Sequence, residues 1–329
     1  MKVLVTGATG FIGSHIADQM KEKGADVICI VRKSSNLRWV ENKGYKLVEA
    51  SLSDLESLKK VVEGVDVIFH SAGLTAAKSM DDFVRANLTG TKNIFEAAKY
   101  GAPNLQRFLH VSSQTAVGPS KSLDDISTEE QIHNPLTSYG KSKKMAEDYL
   151  NASHNILPIT IVRPPAVYGP RDTATLPMFQ AAQKGIGTLI GFDDKYVSLV
   201  SSMDLSRGII EAALSNNTVG ESYFIASEMY YNWTEIINTM GAAAGRKNIL
   251  KLRIPHSLVK VMGSVNGMIG NITGKPPVFD SEKSIDFIQK YWTCSVEKAK
   301  KDFGYAQKYN LEEGFDITFD WYKSNGWIK

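Results

Sequence analysis

The sequence predicts an α/β fold: a doubly wound parallel sheet with a smaller, mostly helical C-terminal lobe. Three observations predict it. Short, continuously apolar runs alternate with amphipathic stretches of helical period through the first half of the chain. A glycine-spaced turn joins the first apolar run to the first helical stretch. After Ile161 the alternation stops, and helical patches dominate to the end. Strands that are apolar on both sides belong in a sheet covered on both faces. Helices between successive strands make that sheet parallel, with right-handed crossovers.

Taken in order, "KVLV" (2–5) is the first strand, and "FIGSHIADQMKEKG" (11–24) is a helix closed by Gly24. "DVICIV" (26–31), "YKLVEA" (45–50), "DVIFHSA" (66–72) and "RFLHVSS" (107–113) repeat the strand pattern. "LESLKKVVEG" (55–64) and "FVRANLTGTKNIFEAAKY" (83–100) carry apolar residues at helical spacing between them. "RPPAVYGPRD" (163–172) is rich in Pro and Gly and is expected to be a loop. Helices are expected at "TLPMFQAAQKG" (175–185), "SRGIIEAALS" (206–215), "NWTEIINTMGAAAG" (232–245), "SVEKAKKDFGY" (295–305) and "LEEGFDITFDWYKSNGW" (311–327), and one more strand at "ESYFIA" (221–226). The helical run 254–274 spaces Leu258, Val261, Met262, Val265, Met268, Ile269 and Ile272 along one face. It is expected to be a core helix of the small lobe. The alternatives are an apolar lid over a hydrophobic substrate and a membrane-surface contact.

Composition sets the class. Hydrophobic residues make up 43% and charged residues 22% of the 329, so the chain is globular rather than disordered or fibrous. A net charge of +3 gives no reason to expect nucleic acid as a partner. Cys29 and Cys294 lack metal-ligand or C-x-x-C spacing, and two reduced thiols fit a cytoplasmic protein. No metal is expected. No run approaches the length of a membrane span, and the first strand begins at Lys2, so no leader is expected ahead of it.

Residues 5–13 read "VTGATGFIG". Gly7 permits a tight strand-to-helix turn, Gly10 lets backbone approach a pyrophosphate, and Gly13 lets the helix pack close to the strand. The helix N-terminus then offers free N–H groups to phosphates. Candidate cofactor contacts in this turn are Gly7, Thr9, Gly10, Phe11, Ile12 and Gly13. Some 130 residues later "SYGKSK" (138–143) sets a tyrosine four residues before a lysine. Together with "FHSAG" (69–73), "RANLTGTKN" (85–93), "HVSSQTAVG" (110–118) and "RPPAVYGPRD", these motifs resemble the extended short-chain dehydrogenase/reductase superfamily over nearly the whole chain. The resemblance implies a Rossmann-like dinucleotide-binding domain at 1–165, with later segments near 190–227. It implies a substrate-binding lobe at 166–189 and 228–329, and a possible homodimer through a helix pair.

It also implies that Tyr139 and Lys143 are the catalytic pair. The physical reading agrees: a free tyrosine has a pKa of about 10, and an ammonium one helical turn away favours its phenolate. Tyr139 would pass a proton to a carbonyl oxygen or take one from an alcohol. Lys143 would also bind the nicotinamide ribose. A third hydroxyl should hold the reacting oxygen. Family position points to Ser113, with Thr115 and Ser112 as alternatives. By position Ala72 and Gly73 lie along the cofactor, Asn87 supports the site loop, and Pro164 and Val167 flank the carboxamide. His110 reads as an ordinary strand residue.

The second strand ends in "VICIVRKSSN" (27–36), with no acid for the ribose hydroxyls. Arg32, Lys33 and the hydroxyls of Ser34 and Ser35 suit a 2′-phosphate, so NADP is expected over NAD. Ser51 stands where the family often has an aspartate, which leaves Leu52 as the adenine contact. Three reaction classes follow: a carbonyl/alcohol oxidoreductase, a nucleoside-diphosphate-sugar epimerase or dehydratase, and a catalytically silent nucleotide-binding protein. The intact Ser113, Tyr139 and Lys143 argue against the last. Ala166 stands where the nucleotide-sugar enzymes often carry asparagine. Gln114 and Thr115 stand where the dehydratases carry acids. Both departures, and the NADP-like strand end, favour the oxidoreductase with a small-molecule substrate.

Overall fold

The computed structural model describes residues 1–273 and 279–329, with the backbone alone for Asn271 and Ile272. In chain order the strands are β1 (Lys2–Thr6), β2 (Asp26–Val31), β3 (Lys46–Glu49), β4 (Val67–His70), β5 (Arg107–Val111), β6 (Ile159–Arg163), β7 (Ala166–Tyr168), β8 (Ile186–Ile190), β9 (Tyr196–Ser201), β10 (Glu221–Phe224), β11 (Tyr230–Asn232), β12 (Leu250–Ile254) and β13 (Tyr291–Trp292). The α-helices are α1 (Phe11–Glu22), α2 (Leu55–Val61), α3 (Met80–Phe83), α4 (Gly90–Gly101), α5 (Ser138–Ala152), α6 (Leu176–Gln183), α7 (Ser202–Leu214), α8 (Trp233–Ala243), α9 (His256–Thr273), α10 (Ser281–Phe287), α11 (Glu297–Phe303) and α12 (Leu311–Ser324).

Seven strands form one sheet in the order β10-β6-β5-β4-β1-β2-β3, every neighbouring pair parallel. Side chains alternate across it. Val3 and Val5 join a core with Ile16 and Met20 of α1 and Leu205 and Ile209 of α7. Leu4, between them, joins the opposite core with Leu58 of α2 and Ile94 and Phe95 of α4. This period-two split with both faces apolar is what a doubly wound sheet requires. The strand order reverses between β1 and β4, which opens a crevice at their carboxyl ends.

The C-terminal half is mostly helical but carries short strands, outside the seven-stranded sheet, that the sequence pattern conceals. The central strand β9 pairs with β11, β13 and β7, and β12 pairs with β8. The expected loop at 163–172 therefore contains a strand, because Ala166–Tyr168 finds a parallel partner in Leu199–Ser201. Phe179, Ile236, Met240, Phe315 and Tyr322 from α6, α8 and α12 fill a third core beneath these strands.

Helix α9 overturns its expectation. Among its described side chains Val259, Gly263 and Gly270 are the buried ones, and a Cβ at Gly263 would stand 2.5 Å from the Asp280 carbonyl oxygen at the start of α10. Leu258, Val261, Met262, Val265, Met268 and Ile269 are between 43% and 65% exposed. The side chain of Ile272 lies outside the described residues. Periodicity found the apolar face; the glycines decide which face is buried, because only they allow the close approach to α10.

Candidate active site

The β1–α1 turn is built for close approach. Gly7 has φ +72°, and a Cβ there would meet the Ala72 nitrogen at 2.8 Å. A Cβ on Gly13 would lie 2.3 Å from the Gly7 carbonyl oxygen. Helix α1 starts at Gly10 with no side-chain cap and no acid in its first turn, so its amide end faces the crevice uncompensated. Ala72 donates its N–H to Thr6 Oγ1 at 3.2 Å, which ties the β4 loop to β1. Thr6 continues to His70 Nδ1 at 2.7 Å, and His70 Nε2 to Thr91 Oγ1 at 2.9 Å. His70 is fully enclosed, and burial drives its pKa down to about 3, so it is a neutral structural link.

Asn87 lies on a π-helical turn, Val84–Thr89, between α3 and α4. Its Oδ1 accepts from the Leu74 N–H at 2.8 Å, and its Nδ2 donates to the Leu74 carbonyl at 3.0 Å and to Ser142 Oγ at 2.9 Å. One buried amide thus brackets the loop carrying Gly73 and fastens it to α5. The wider turn gives the side chain this reach.

Helix α5 carries Tyr139, Lys143 and Glu147 at four-residue intervals, a single stripe laid on the sheet. Glu147 is wholly buried and pairs with Arg163 of β6 at 2.8 Å. It also accepts from the Ser112 hydroxyl. Ser112 therefore fixes the helix and does not face the crevice. Thr115 donates its N–H and hydroxyl to Ser113 Oγ, at 3.2 and 2.9 Å. Of the three candidate hydroxyls, Ser113 is the one that opposes the rise of the Tyr139 pKa.

Burial raises the Tyr139 pKa above its ordinary value; the Ser113 hydrogen bond pulls it back, and the Asp286 charge adds to the rise. The expectation that Lys143 lowers it is not met in the protein alone. The Lys143 ammonium is held 2.7 Å from the Val111 carbonyl oxygen and 3.5 Å from His110 Nε2. Burial brings its own pKa down to about 8, with Glu147 opposing. His110 is buried and kept neutral by desolvation and by Lys143.

Helix α10 is not among the helices expected from the sequence. Its Glu282 accepts the Ser138 N–H at 2.6 Å and the Ser138 hydroxyl at 2.7 Å, so it caps α5 directly before Tyr139. The Lys283 ammonium sits 4.9 Å over the Tyr139 ring. Asp286 accepts from Thr137 Oγ1 at 3.4 Å, and burial raises its pKa to about 6. The acidic spacing Glu282/Asp286 on one short helix was the available signal, but its target lies more than a hundred residues away.

The other expected residues are more scattered. Arg32, Lys33 and Ser34 are exposed at the end of β2, while the Ser35 hydroxyl accepts the Arg32 N–H at 2.9 Å. Lys33 stands 3.8 Å from Glu49 in an exposed pair. Leu52 packs beside Gly90, and its carbonyl accepts from Asn93 at 2.7 Å. The Pro164 carbonyl accepts the Gln114 N–H at 2.8 Å, and Val167 is half-buried in β7. Thr9, Phe11 and Ile12 line the partly open turn. Cys29 and Cys294 are free, buried thiols whose pKa values burial raises to about 12. Among the described residues no cluster of His, Cys, Asp and Glu could hold a metal, and no helix is long and apolar enough to cross a membrane.

The arrangement matches known proteins at three levels. A family model described as "NAD dependent epimerase/dehydratase family" matches residues 3–230. A ceramide reductase of Caulobacter vibrioides is 28% identical over 326 residues, covering 99% of this chain and 96% of the relative. A 2-alkyl-3-oxoalkanoate reductase of Stenotrophomonas maltophilia is 27% identical, with 95% and 97% covered. Among solved structures, the UDP-glucose 4-epimerase of Thermotoga maritima superposes with a TM-score of 0.80 at 21% identity over 99% of both chains, a likeness of fold.

Proposed function

The chain belongs to the NAD dependent epimerase/dehydratase family, and from that premise we propose that it is an NAD(P)-dependent oxidoreductase of the extended short-chain type, interconverting a carbonyl and an alcohol on an apolar small molecule. The observation that carries the reading is the Ser113 hydroxyl acting on the Tyr139 phenol, one helical turn from a fixed Lys143, at the sheet edge next to the glycine turn. The names of the two relatives, a ceramide reductase and a 2-alkyl-3-oxoalkanoate reductase, support the substrate class.

When bound, the nicotinamide supplies or accepts the hydride. The glycine turn, the free amide end of α1 and the loop at Ala72 and Gly73 fit a dinucleotide, because a side chain at Gly7 or Gly13 would collide with backbone. Tyr139 gives its proton to the carbonyl oxygen during reduction and takes it back during oxidation. Its raised pKa keeps it proton-loaded at neutral pH, which suits reduction. Ser113 holds the reacting oxygen, and Lys143, anchored on Val111, meets the ribose. Arg32, Lys33 and Ser34 read a 2′-phosphate, so NADP is the preferred cofactor. The weak exposed pairing of Lys33 with Glu49 is easily given up.

The nucleotide-sugar epimerase reading is the second one, favoured by the family description and by the fold likeness. Two features weigh against it. Ala166 is exposed and offers no amide to a diphosphate. Gln114, in place of an acid, is buried and spends its side-chain amide on the Thr293 carbonyl at 3.1 Å. We assign residues 166–189 and 228–329 to the substrate lobe, a homodimer to the assembly and the cytoplasm to the setting. The test is turnover of NADPH and NADH against a panel of long-chain ketones and UDP-sugars. Stoichiometric cofactor consumption with an apolar ketone is expected. Epimerised UDP-sugar with no net consumption would replace this reading with the second.

A further inference from the structure

Helix α9 buries a narrow stripe and leaves the opposite problem unsolved. Val259, Gly263 and Gly270 turn inward, while six large apolar side chains, Leu258 to Ile269, stay about half exposed along one face. A contiguous apolar face of that size on a folded chain marks a contact surface.

Charge says what covers it. Between Glu235 and Asp280 the sequence has six lysines and arginines and no aspartate or glutamate, while the whole chain is nearly balanced, at 38 basic to 35 acidic. Lys251, Arg253 and Lys260 are exposed in β12 and α9. Of the nearby acids, Asp193 is engaged by Lys195 at 3.7 Å and lies 3.6 Å from His256, and Asp194 is exposed next to it. Two copies joined through this face would bring like charges together. An anionic surface would neutralise them and bury the apolar stripe at once.

We propose that the exposed face of α9, with Lys251, Arg253 and Lys260, docks on an anionic lipid bilayer, the helix lying in the plane of the headgroups. Helix α10 forms the layer between α9 and the active site: Asp280 closes against Gly263, and Glu282 and Lys283 reach Ser138 and Tyr139. Docking therefore brings the substrate lobe to the membrane, where an apolar substrate resides. The inference deepens the proposed substrate class, yet its test needs no substrate, so either can fail alone.

The purified full chain is cosedimented with vesicles of phosphatidylcholine, with and without phosphatidylglycerol, at low and high salt. Binding is expected to the anionic vesicles, weaker to the neutral ones, and reduced by salt. Val261→Asp/Val265→Asp should lower it by about tenfold or more. Lys251→Glu/Lys260→Glu should remove the preference for phosphatidylglycerol. Both pairs are exposed, and both variants should keep the parent's melting temperature. If the apolar variant does not fold, the charge variant decides alone. No binding by the parent, or equal binding by the variants, overturns the proposal. So does a sizing column in which the apolar variant converts a dimer to monomer while the parent ignores vesicles, since the face then joins two copies.

Discussion

Tyr139 and Lys143 titrate in opposite directions for one reason, burial, which disfavours the charged form of each. Lys143, at about 8, loses its ammonium inside the working range. As pH rises through 8, kcat/KM for carbonyl reduction should fall, because the neutral amine no longer supports the ribose contact and the site charge. A profile flat from pH 7 to about 9.5 would remove Lys143 as a charged participant. At the cofactor's far end, Arg32→Ala should weaken NADPH binding about tenfold, roughly 1.4 kcal/mol, and leave NADH unchanged. Equal losses for both would mean that Arg32 reads no 2′-phosphate. The residues of this scale were legible in sequence where spacing is local: Gly7 to Gly13, and Tyr139 with Lys143. Choosing among Ser112, Ser113 and Thr115 was not a matter of spacing. The buried Glu147 engages Ser112, and Thr115 turns its hydroxyl to Ser113. Neither partner is visible in a one-dimensional pattern.

Helix α5 is held at two points. Glu147 locks its middle to Arg163, and Glu282 of α10 caps its first turn. Glu147→Ala would leave the Arg163 guanidinium buried and unpaired, at a cost of about 3–5 kcal/mol read as a shifted urea midpoint. Glu282→Ala removes only a cap and should cost about 1 kcal/mol, while lowering kcat through a looser Tyr139. If Glu282→Ala changed stability alone, α10 would be a structural clamp with no hold on the active site. The βα alternation was readable because strands β1, β4 and β5 are buried over nearly their whole length, which gives continuous apolar runs. Strands β11 and β13 span only three and two residues, too short for any period to register. Helix α9 shows the opposite limit: a clear period with the wrong face assumed buried.

Across the molecule, three buried histidines share one behaviour. Burial lowers His15 to about 4, His70 to about 3 and His110 well below its ordinary value. A histidine kept neutral in the fold contributes stability that is present above pH 6.5 and lost as pH falls below it, since the unfolded chain then binds the extra protons. Asp286, raised to about 6, and Glu129, also raised by burial, work the other way and offset part of the loss. Between pH 6.5 and 5 the unfolding free energy should drop by on the order of 3 kcal/mol. A midpoint in urea that holds or rises over that interval would contradict the neutral histidines. The whole-chain reading joins two halves, a cofactor crevice set by the sheet and a proton carrier set by α5, and one variant separates them. Turnover and NADPH affinity are measured together on Tyr139→Phe. The expected result is a kcat lowered by roughly 10²–10⁴, with NADPH affinity within about twofold of the parent. Parental turnover in that variant would contradict it.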